Sequence, residues 1–562
     1  MTEPFVNSLI EPYGGKLIDL YAPQSQKQVL TTLSHSLPSW SLTERQLCDI
    51  ELILNGGFSP LCGFLSEADY HSVIQNLCLC DHTLWPIPIT LDVDKDFANS
   101  VNVNEKIALR DAEGVLIAIM HISDKWQPDK SREAQNIFGS NDKNHPAVNF
   151  LFHKTGDIYL GGNLTGITPP THYDYTKLRY SPAQLRKKFV SAGWHKIIAF
   201  QTQNTMHRFE QAVTLRSAQH HGAHLLIHPV TGMTKPEDAD YYSRIRCYQH
   251  ILKHYPQNTV ALNLLPLAMR TAGLRELLWH AIIQQNFGCT HFLIDEKHIF
   301  SKEKANTKLE LKKYQNKLNI RIIPFNKSAD EANPIDKISS NEKKLGNSPV
   351  EFYQRLKRGL EIPPGFSYPE IVAELRKTHP LTQQRGFTVF FTGLSGAGKS
   401  TLANALLMKF YELGRMRVTL LDGDIVRKKL SSELGFSKQH RNLHVERIGY
   451  VASEITKIGG IAICAPIAPY AKTRYAVREM ISPYGGFIEV HLSTSLSVCE
   501  KRDRKGLYAK ARQGKIAEFT GISAPYEIPE NPDLIIDTST VSVKKAIHEI
   551  LLKLESLGYI TN

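Results

Sequence analysis

The sequence predicts a multidomain α/β protein. A β-rich N-terminal domain is followed by an α/β domain on a parallel sheet. A short helical connector then leads to a C-terminal α/β domain that opens on a glycine-rich loop. Three observations carry this. Before residue 165, short apolar runs such as WPIPITLDV (85–93), KIALRD (106–111) and VLIAIMHI (115–122) are separated by Gly, Asp and Asn turns. Between 185 and 325, the runs HKIIAF (195–200), AHLLIHPV (223–230), TVALNLLP (259–266), THFLID (290–295) and IRIIPF (320–325) alternate with helical stretches such as 237–254 and 274–287. That alternation is the pattern of a parallel sheet. From Gly386 the strand-like FTVFFTG leads through glycines into the helical TLANALLMKFYEL.

These patterns place the boundaries. The β-rich domain takes 1–167 and the first α/β domain 168–325. Residues 326–350, NKSADEANPIDKISSNEKKLGNSPV, are polar and poor in large apolar groups, as a linker is. With a short helical piece over 351–380, interrupted by Pro363 and Pro364, they form a connector over 326–384. The second α/β domain takes 385–562.

The 562 residues suffice for about three to five domains. Apolar residues at 42% and charged residues at 22% exclude wholesale disorder. The net charge of +12 points to anionic partners: nucleic acid, a membrane surface or phosphorylated small molecules. The basic stretch KEKANTKLELKKYQNK (302–317) interleaves acids and reads as a solvated helix face, so nucleic acid is not expected. The eight cysteines are sparse and sit mostly in apolar runs, as Cys464 does in GGIAICAPIAP, which reads as reduced core thiols. Cys78-Leu79-Cys80-Asp81-His82 is too tight for zinc. No apolar run reaches the roughly 18 residues of a membrane helix. MTEPFVNSLIEP lacks a basic segment before an apolar one, so a cytoplasmic protein without a membrane partner is expected.

The sharpest motif is Gly393-Leu-Ser395-Gly396-Ala-Gly398-Lys399-Ser400-Thr401, which matches GxxxxGK[ST] between a strand and a helix. Its glycines let backbone N–H groups wrap a phosphate chain, and the helix N-terminus adds a favourable dipole. Lys399 is expected to reach the outer phosphates of ATP and Ser400 to sit on Mg²⁺. The strand RVTLLDGD (417–424) ends in Asp422 and Asp424, at the end of a parallel strand where a bound nucleotide lies. Either carboxylate could position Mg²⁺ or take a proton from an attacking hydroxyl. The competing reading is an Asx turn.

The segments DGDIVRKKLSSELGFSKQHRN (422–442), IAPYAKTR (467–474), KGLYAKARQGKIAEFTG (505–521) and PYEIPENPDLIIDT (525–538) resemble adenylylsulfate (APS) kinases. The resemblance runs through about all of 386–562. It implies transfer of phosphate from MgATP to the 3′-hydroxyl of APS, giving PAPS and ADP. It further implies that Asp424 is the catalytic carboxylate beside Lys399, with Ser400 and Asp424 on the metal. Arg427, Phe436 and Arg441 would bind APS, and Lys505 and Phe519 would lie in the segment that closes over both nucleotides. The basic run KRDRKGLYAKARQGK (501–515) belongs to this resemblance. The chain departs from the family at Ile425, where DGDN is usual, and at His444 and Glu446 in an ENIRR-like stretch. Ala468 stands where bacterial relatives carry a phosphoserine, and Ala471 where Arg is frequent. The ATP side is intact; the APS side is altered at these places.

ELILNGGFSPLCGFLSEADY (51–70), WPIPITLD (85–92), HPVTGMTKPEDADYYSRIRCYQ (228–249) and LLPLAMRTAGLRELLWHAIIQQNFGCTHFL (264–293) resemble ATP sulfurylase, over roughly 8–380. That family joins ATP and sulfate into APS and pyrophosphate, on a PUA-like N-terminal domain and a Rossmann-like nucleotidyltransferase domain. The order sulfurylase then kinase is that of bifunctional PAPS synthases. Fungal sulfurylases share it, with a degenerate regulatory kinase-like domain, whereas this P-loop is whole.

The family motif QTRNPxHxxH reads here Gln201-Thr-Gln203-Asn204-Thr-Met206-His207-Arg-Phe-Glu210. Gln203 replaces a bidentate cation for sulfate, which should weaken sulfate binding by about tenfold or more. His207 remains and Glu210 replaces the second histidine, where a carboxylate is expected to repel a triphosphate. The motif GRDHAGPG reads Asp295-Glu296-Lys297-His298-Ile299-Phe300-Ser301, in which only His298 aligns. The SGTxxR motif is not preserved at Ser348-Pro349-Val350-Glu351-Phe352-Tyr353-Gln354. Three motifs altered at one site point to an APS kinase carrying an impaired sulfurylase-like domain. Two alternatives stay open. One is a bifunctional PAPS synthase acting on sulfate through His207, His298 and Lys297. The other is a non-catalytic nucleotide-sensing or nucleic-acid-binding protein. Both families form dimers or larger assemblies, so the resemblance implies a homo-oligomer.

Overall fold

In the N-terminal sheet, strands that are largely buried pair through mostly antiparallel ladders. The computed structural model describes residues 9–232, 241–295, 311–325 and 349–560, apart from His379, Met416, Arg504 and Ala517. The described residues fall in two compact units. One comprises 1–347 with 363–375, the other 348–362 with 376–562.

The first unit begins with a six-stranded sheet of β1 (Ser39–Ser41), β2 (Gly63–Phe64), β3 (Leu91–Val93), β4 (Lys106–Arg110), β5 (Leu116–Trp126) and β6 (Ile158–Gly166). Its order is β1-β4-β5-β6-β2, with β3 on β6. The second sheet is parallel throughout: β7 (Ile197–Thr202), β8 (His224–Pro229), β9 (Val260–Leu262), β10 (His291–Asp295) and β11 (Arg321–Phe325), in the order β11-β10-β7-β8-β9. Its inner strands are mostly apolar and buried on both faces. Trp85, Phe58 and Trp279 lie in the same core, with the Phe58 and Trp279 ring centroids 5.2 Å apart. Arg270 Nη2 donates to both carboxylate oxygens of Asp49 at 2.6 Å, a buried ion pair.

The predicted helix 274–287 is found at Gly273–Asn286, and the helix expected over 237–254 runs from Tyr241 to Ile251 and ends in a 3₁₀ turn, with 237–240 outside the described residues. The expected connector over 326–384 is not one piece. Residues 348–362 group with the C-terminal unit and 363–375 with the N-terminal one. Helix Pro349–Arg358 buries Phe352 and Leu356, and helix Pro369–Thr378 buries Ile371 and Leu375.

The second unit holds β12 (Phe387–Gly393), β13 (Val418–Asp422), β14 (Ile461–Ala465), β15 (Gly486–Leu492) and β16 (Leu534–Ile536) in the parallel order β13-β14-β12-β15-β16. The fully buried β12 is the central strand, so its C-terminal end opens where ligands of such sheets bind. Among the described residues, no helix is long and apolar enough to cross a membrane.

Candidate active site

The strand β12 delivers the glycine-rich loop to the N-terminus of helix Lys399–Glu412. Gly396 and Gly398 have φ of 80° and 98°, the left-handed region that a side chain disfavours. A Cβ at Gly396 would also stand 3.0 Å from the Cys499 carbonyl oxygen. The loop's carbonyls are taken up by neighbours. Tyr508 Oη donates to the Ser395 carbonyl (2.9 Å), Arg502 Nη1 to that of Gly396 (3.2 Å) and Thr538 Oγ1 to that of Ala397 (2.9 Å). Carbonyls held outward are what turn the amides of such a nest toward an anion.

Lys399 is buried, and its Nζ donates to the carbonyls of Gly393 (2.9 Å) and Leu394 (2.8 Å). Burial lowers its pKa to about 8. Ser400 Oγ donates to Asp422 Oδ2 at 2.7 Å. Thr401, in the same first turn, is exposed. Asp422 uses its other oxygen, Oδ1, to cap helix Gly423–Leu430 by accepting from the amides of Asp424 (3.0 Å) and Ile425 (3.4 Å). The hydroxyl and carboxylate form a pair of hard oxygen donors beside the phosphate loop. That fits Mg²⁺, which takes one or two protein oxygens and completes its shell with phosphate and water.

Asp424 is not part of that pair. It lies 68% exposed and forms an ion pair with Lys505, itself 64% exposed. Of the two carboxylates it is Asp422, not the expected Asp424, that meets Ser400. Asp422 is the N-cap of helix Gly423–Leu430 and Asp424 lies in its first turn.

Arg427 donates to the carbonyls of Leu434 (3.3 Å) and Gly435 (3.0 Å), and its guanidinium lies 4.8 Å over the Phe436 ring. Phe436 is 62% exposed, an apolar face presented outward. Arg441 Nη1 donates to Thr520 Oγ1 at 2.7 Å, linking helix Lys438–Lys457 to the segment that carries Lys505 and Phe519. Phe519 is itself buried, edge-on to Tyr508 at 5.0 Å. Ile425 is exposed, Glu446 half-buried, and His444 buried beneath the helix of Asp424.

In the first unit, Gln201 ends a chain of buried polar groups whose direction can be read from its far end. The Tyr180 amide donates to Asn263 Oδ1 (2.8 Å), so Asn263 Nδ2 must donate, to the Tyr180 carbonyl (3.2 Å) and to His228 Nε2 (3.2 Å). His228 therefore carries its proton on Nδ1 and donates to Gln284 Oε1 (2.8 Å). Gln284 Nε2 donates to Gln201 Oε1 (2.9 Å), and Gln201 Nε2 donates to His280 Nδ1 (3.1 Å). Burial lowers the pKa of His228 to about 4 and lowers that of His280, so both rings stay neutral as the chain requires.

The rest of the motif is placed by its backbone. Gln203 offers its carbonyl to Arg244, and Asn204 its carbonyl to Tyr248 Oη at 2.6 Å. His207 is the N-cap of helix Arg208–His221, and its Nδ1 meets Ser367 Oγ at 2.9 Å. The Glu210 carboxylate accepts from the His207 amide at 3.0 Å, completing a capping box. So Glu210, expected as a repulsive charge toward a triphosphate, is engaged in the helix cap. His298 lies outside the described residues, as do Glu296, Lys297 and Ser348.

Three family profiles match: a PUA-like domain over residues 10–169, ATP-sulfurylase over 176–378 and adenylylsulphate kinase over 385–537. A sulfate adenylyltransferase of Phaeosphaeria nodorum is 46% identical over 98% of this chain and 99% of that protein. One of Mycosarcoma maydis is 44% identical over 98% and 99%. Among solved structures, a hexameric APS kinase from Thiobacillus denitrificans is 38% identical, covers 99% of this chain and 100% of that one, and superposes with a TM-score of 0.80. The chain belongs to the sulfate adenylyltransferase family, in the form that fuses ATP-sulfurylase and adenylylsulphate kinase parts. It is a transferase with a kinase part.

In the kinase part of this fused transferase, the loop residues Gly393 to Thr401 come together with Asp422, Asp424, Arg427 and Lys505. Sequence reasoning missed the choice between Asp422 and Asp424, the roles of Arg502 and Thr538 behind the loop, and the buried partners of Gln201. The signal for the last was present: His228 and Gln284 are polar residues inside the apolar runs AHLLIHPV and HAIIQQN.

Proposed function

We propose that the kinase part transfers the γ-phosphate of MgATP to the 3′-hydroxyl of APS, releasing PAPS and ADP. The observation that carries this reading is the set Lys399, Ser400 and Asp422, with Asp424 in the first turn of the helix that Asp422 caps. Lys399 binds the outer phosphates once they replace its loop carbonyls. Ser400 and Asp422 hold Mg²⁺, which when bound neutralises charge on the phosphates. Asp424 accepts the proton of the acceptor hydroxyl, and Lys505 keeps that carboxylate near a cation until substrate arrives. Arg427, Phe436 and Arg441 hold APS, by ring stacking and by charge. The kinase then works mostly by positioning, which is what phosphoryl transfer requires.

We further propose that the ATP-sulfurylase part, centred on residues 168–325, is impaired in sulfate activation. Support comes from Gln203 in place of a cation for sulfate. A working bifunctional enzyme is the second reading, favoured by full-length relatives named sulfate adenylyltransferase and by His207 at a helix N-terminus. The protein acts as a homo-oligomer in either case, as the hexameric relative does.

One assay with two arms tests both. The purified protein is expected to form ADP from ATP only when APS is added, and Lys399→Ala is expected to abolish this. ADP formation indifferent to APS would defeat the kinase reading. Pyrophosphate release from ATP and sulfate is expected to be absent. Release that survives Lys399→Ala and disappears in His207→Ala would establish the bifunctional enzyme.

A further inference from the structure

Helix Lys438–Lys457 turns His440, His444 and Arg447 to one side, as spacings of four and three residues do. All three grip the segment that leads from Asp422 to Phe436. His440 Nδ1 accepts from the Gly435 amide at 2.9 Å. Arg447 donates to the Leu430 carbonyl at 2.6 Å and to Glu433 at 2.5 Å. His444 sits between them and makes two bonds. Its Nε2 lies 3.0 Å from the Gly423 carbonyl, which can only accept, so Nε2 carries the proton. Its Nδ1 is then bare and accepts from Ser431 Oγ at 3.1 Å.

Those two partners are the two ends of one helix. Gly423 opens helix Gly423–Leu430 and the fully buried Ser431 is its C-cap. The Gly423 peptide stands between Asp422 and Asp424, and a Cβ there would come 3.2 Å from Pro466 Cα, so the backbone has little room to shift. One neutral ring thus braces the helix that carries Asp422 at its cap, and Asp424 and Arg427 along its length. Burial lowers the His444 pKa to about 4, which keeps the ring neutral in ordinary buffers.

We propose that His444 is a positioning residue of the kinase reaction, fixing the peptide between Asp422 and Asp424 so that both carboxylates and Arg427 stand correctly against the acceptor nucleotide. This rests on the APS kinase reading. His444 would not touch substrate. It would act on APS use and turnover, and leave ATP binding by the glycine loop almost untouched.

The test is steady-state kinetics of the full-length protein with MgATP and APS, beside thermal melting, for His444→Ala, His444→Gln and Ser431→Ala. In His444→Ala, kcat is expected to fall roughly tenfold and the KM for APS to rise, with the KM for ATP within about twofold of wild type. Gln offers an N–H and a carbonyl, so His444→Gln is expected to recover most of the loss. Ser431→Ala leaves Nδ1 without its donor and is expected to lower kcat about threefold. A folded His444→Ala with wild-type kcat and KM for APS would overturn the proposal. So would equal changes in both KM values that follow a lowered melting temperature and are not rescued by Gln. If His444→Ala does not fold, an inactive but folded His444→Gln or a fully active Ser431→Ala overturns it instead. Wild-type protein without APS-dependent turnover would remove the kinase reading itself, and this proposal with it.

Discussion

Ser400 and Asp422 face each other at 2.7 Å across the mouth of the kinase site, one at the start of a helix and the other at the end of a neighbouring strand. The carboxylate has two tasks, one oxygen toward Ser400 and the other capping the next helix. Asn can cap a helix as well as Asp but lacks the charge that a divalent cation needs. Asp422→Asn is therefore expected to keep its melting temperature within a few degrees. It should lower kcat by about a hundredfold and raise the Mg²⁺ concentration needed for half-maximal ADP formation. A Mg²⁺ titration of both proteins checks this.

Lys399 supplies a pH dependence with a definite sign. Its pKa is pushed down to about 8 by burial, so the free enzyme loses that positive charge as pH rises through 8. Only the charged form attracts phosphate, so kcat/KM for ATP is expected to be level below that point and to fall above it. Bound phosphates favour the charged form, so kcat at saturating ATP should hold to higher pH. Lys399→Arg keeps the charge at all these pH values and should lose the alkaline fall, whatever its absolute rate.

Glu210 tests whether the altered ATP-sulfurylase motif has a structural use. Its carboxylate completes a capping box with His207. Glu210→Ala is expected to destabilise the N-terminal unit by about 1 kcal/mol, and Glu210→Gln, which can keep the box, by much less. All five tryptophans, Trp40, Trp85, Trp126, Trp194 and Trp279, lie in that unit. Tryptophan fluorescence during urea unfolding therefore reads the unit alone.

What could be read in the sequence was what depends on neighbours along the chain. The loop from Gly393 to Thr401 is contiguous, and its strand and helix flank it directly, so motif and fold context arrive together. The strands β7, β8 and β10 were legible because both faces of a parallel sheet are covered and each carries an apolar run. Choices made across the fold were not legible. Asp422 and Asp424 are separated by a single glycine, and only the turn from strand to helix decides which one meets Ser400. Gln201, His228, Asn263 and Gln284 come from two strands, the residue just past a third and a helix, each looking like an isolated polar residue until the chain of hydrogen bonds joins them. Glu210 looked like a misplaced charge because a capping box is a relation between a side chain and a backbone amide.

That chain makes the last prediction. His228 is fully buried, donates from Nδ1 to Gln284 and accepts at Nε2 from Asn263, so no position remains for a second proton. Its pKa falls to about 4 in the fold against about 6.5 in the unfolded chain. The unfolded state therefore binds more protons between these values, and stability must fall as pH drops from 6.5 toward 4, then level off. Between pH 7 and pH 5 this one group should lower the stability of the N-terminal unit by about 2 kcal/mol. His228→Gln removes the titrating ring, and its amide can still reach one of the two neighbours. It should therefore be less stable than wild type at pH 7 by roughly 1–3 kcal/mol, because a buried polar group is left unpaired. It should also lose correspondingly less stability on acidification. Urea midpoints at the two pH values, followed by tryptophan fluorescence, measure both effects. An acid-induced loss of the same size in both proteins would mean that His228 is not the group that titrates.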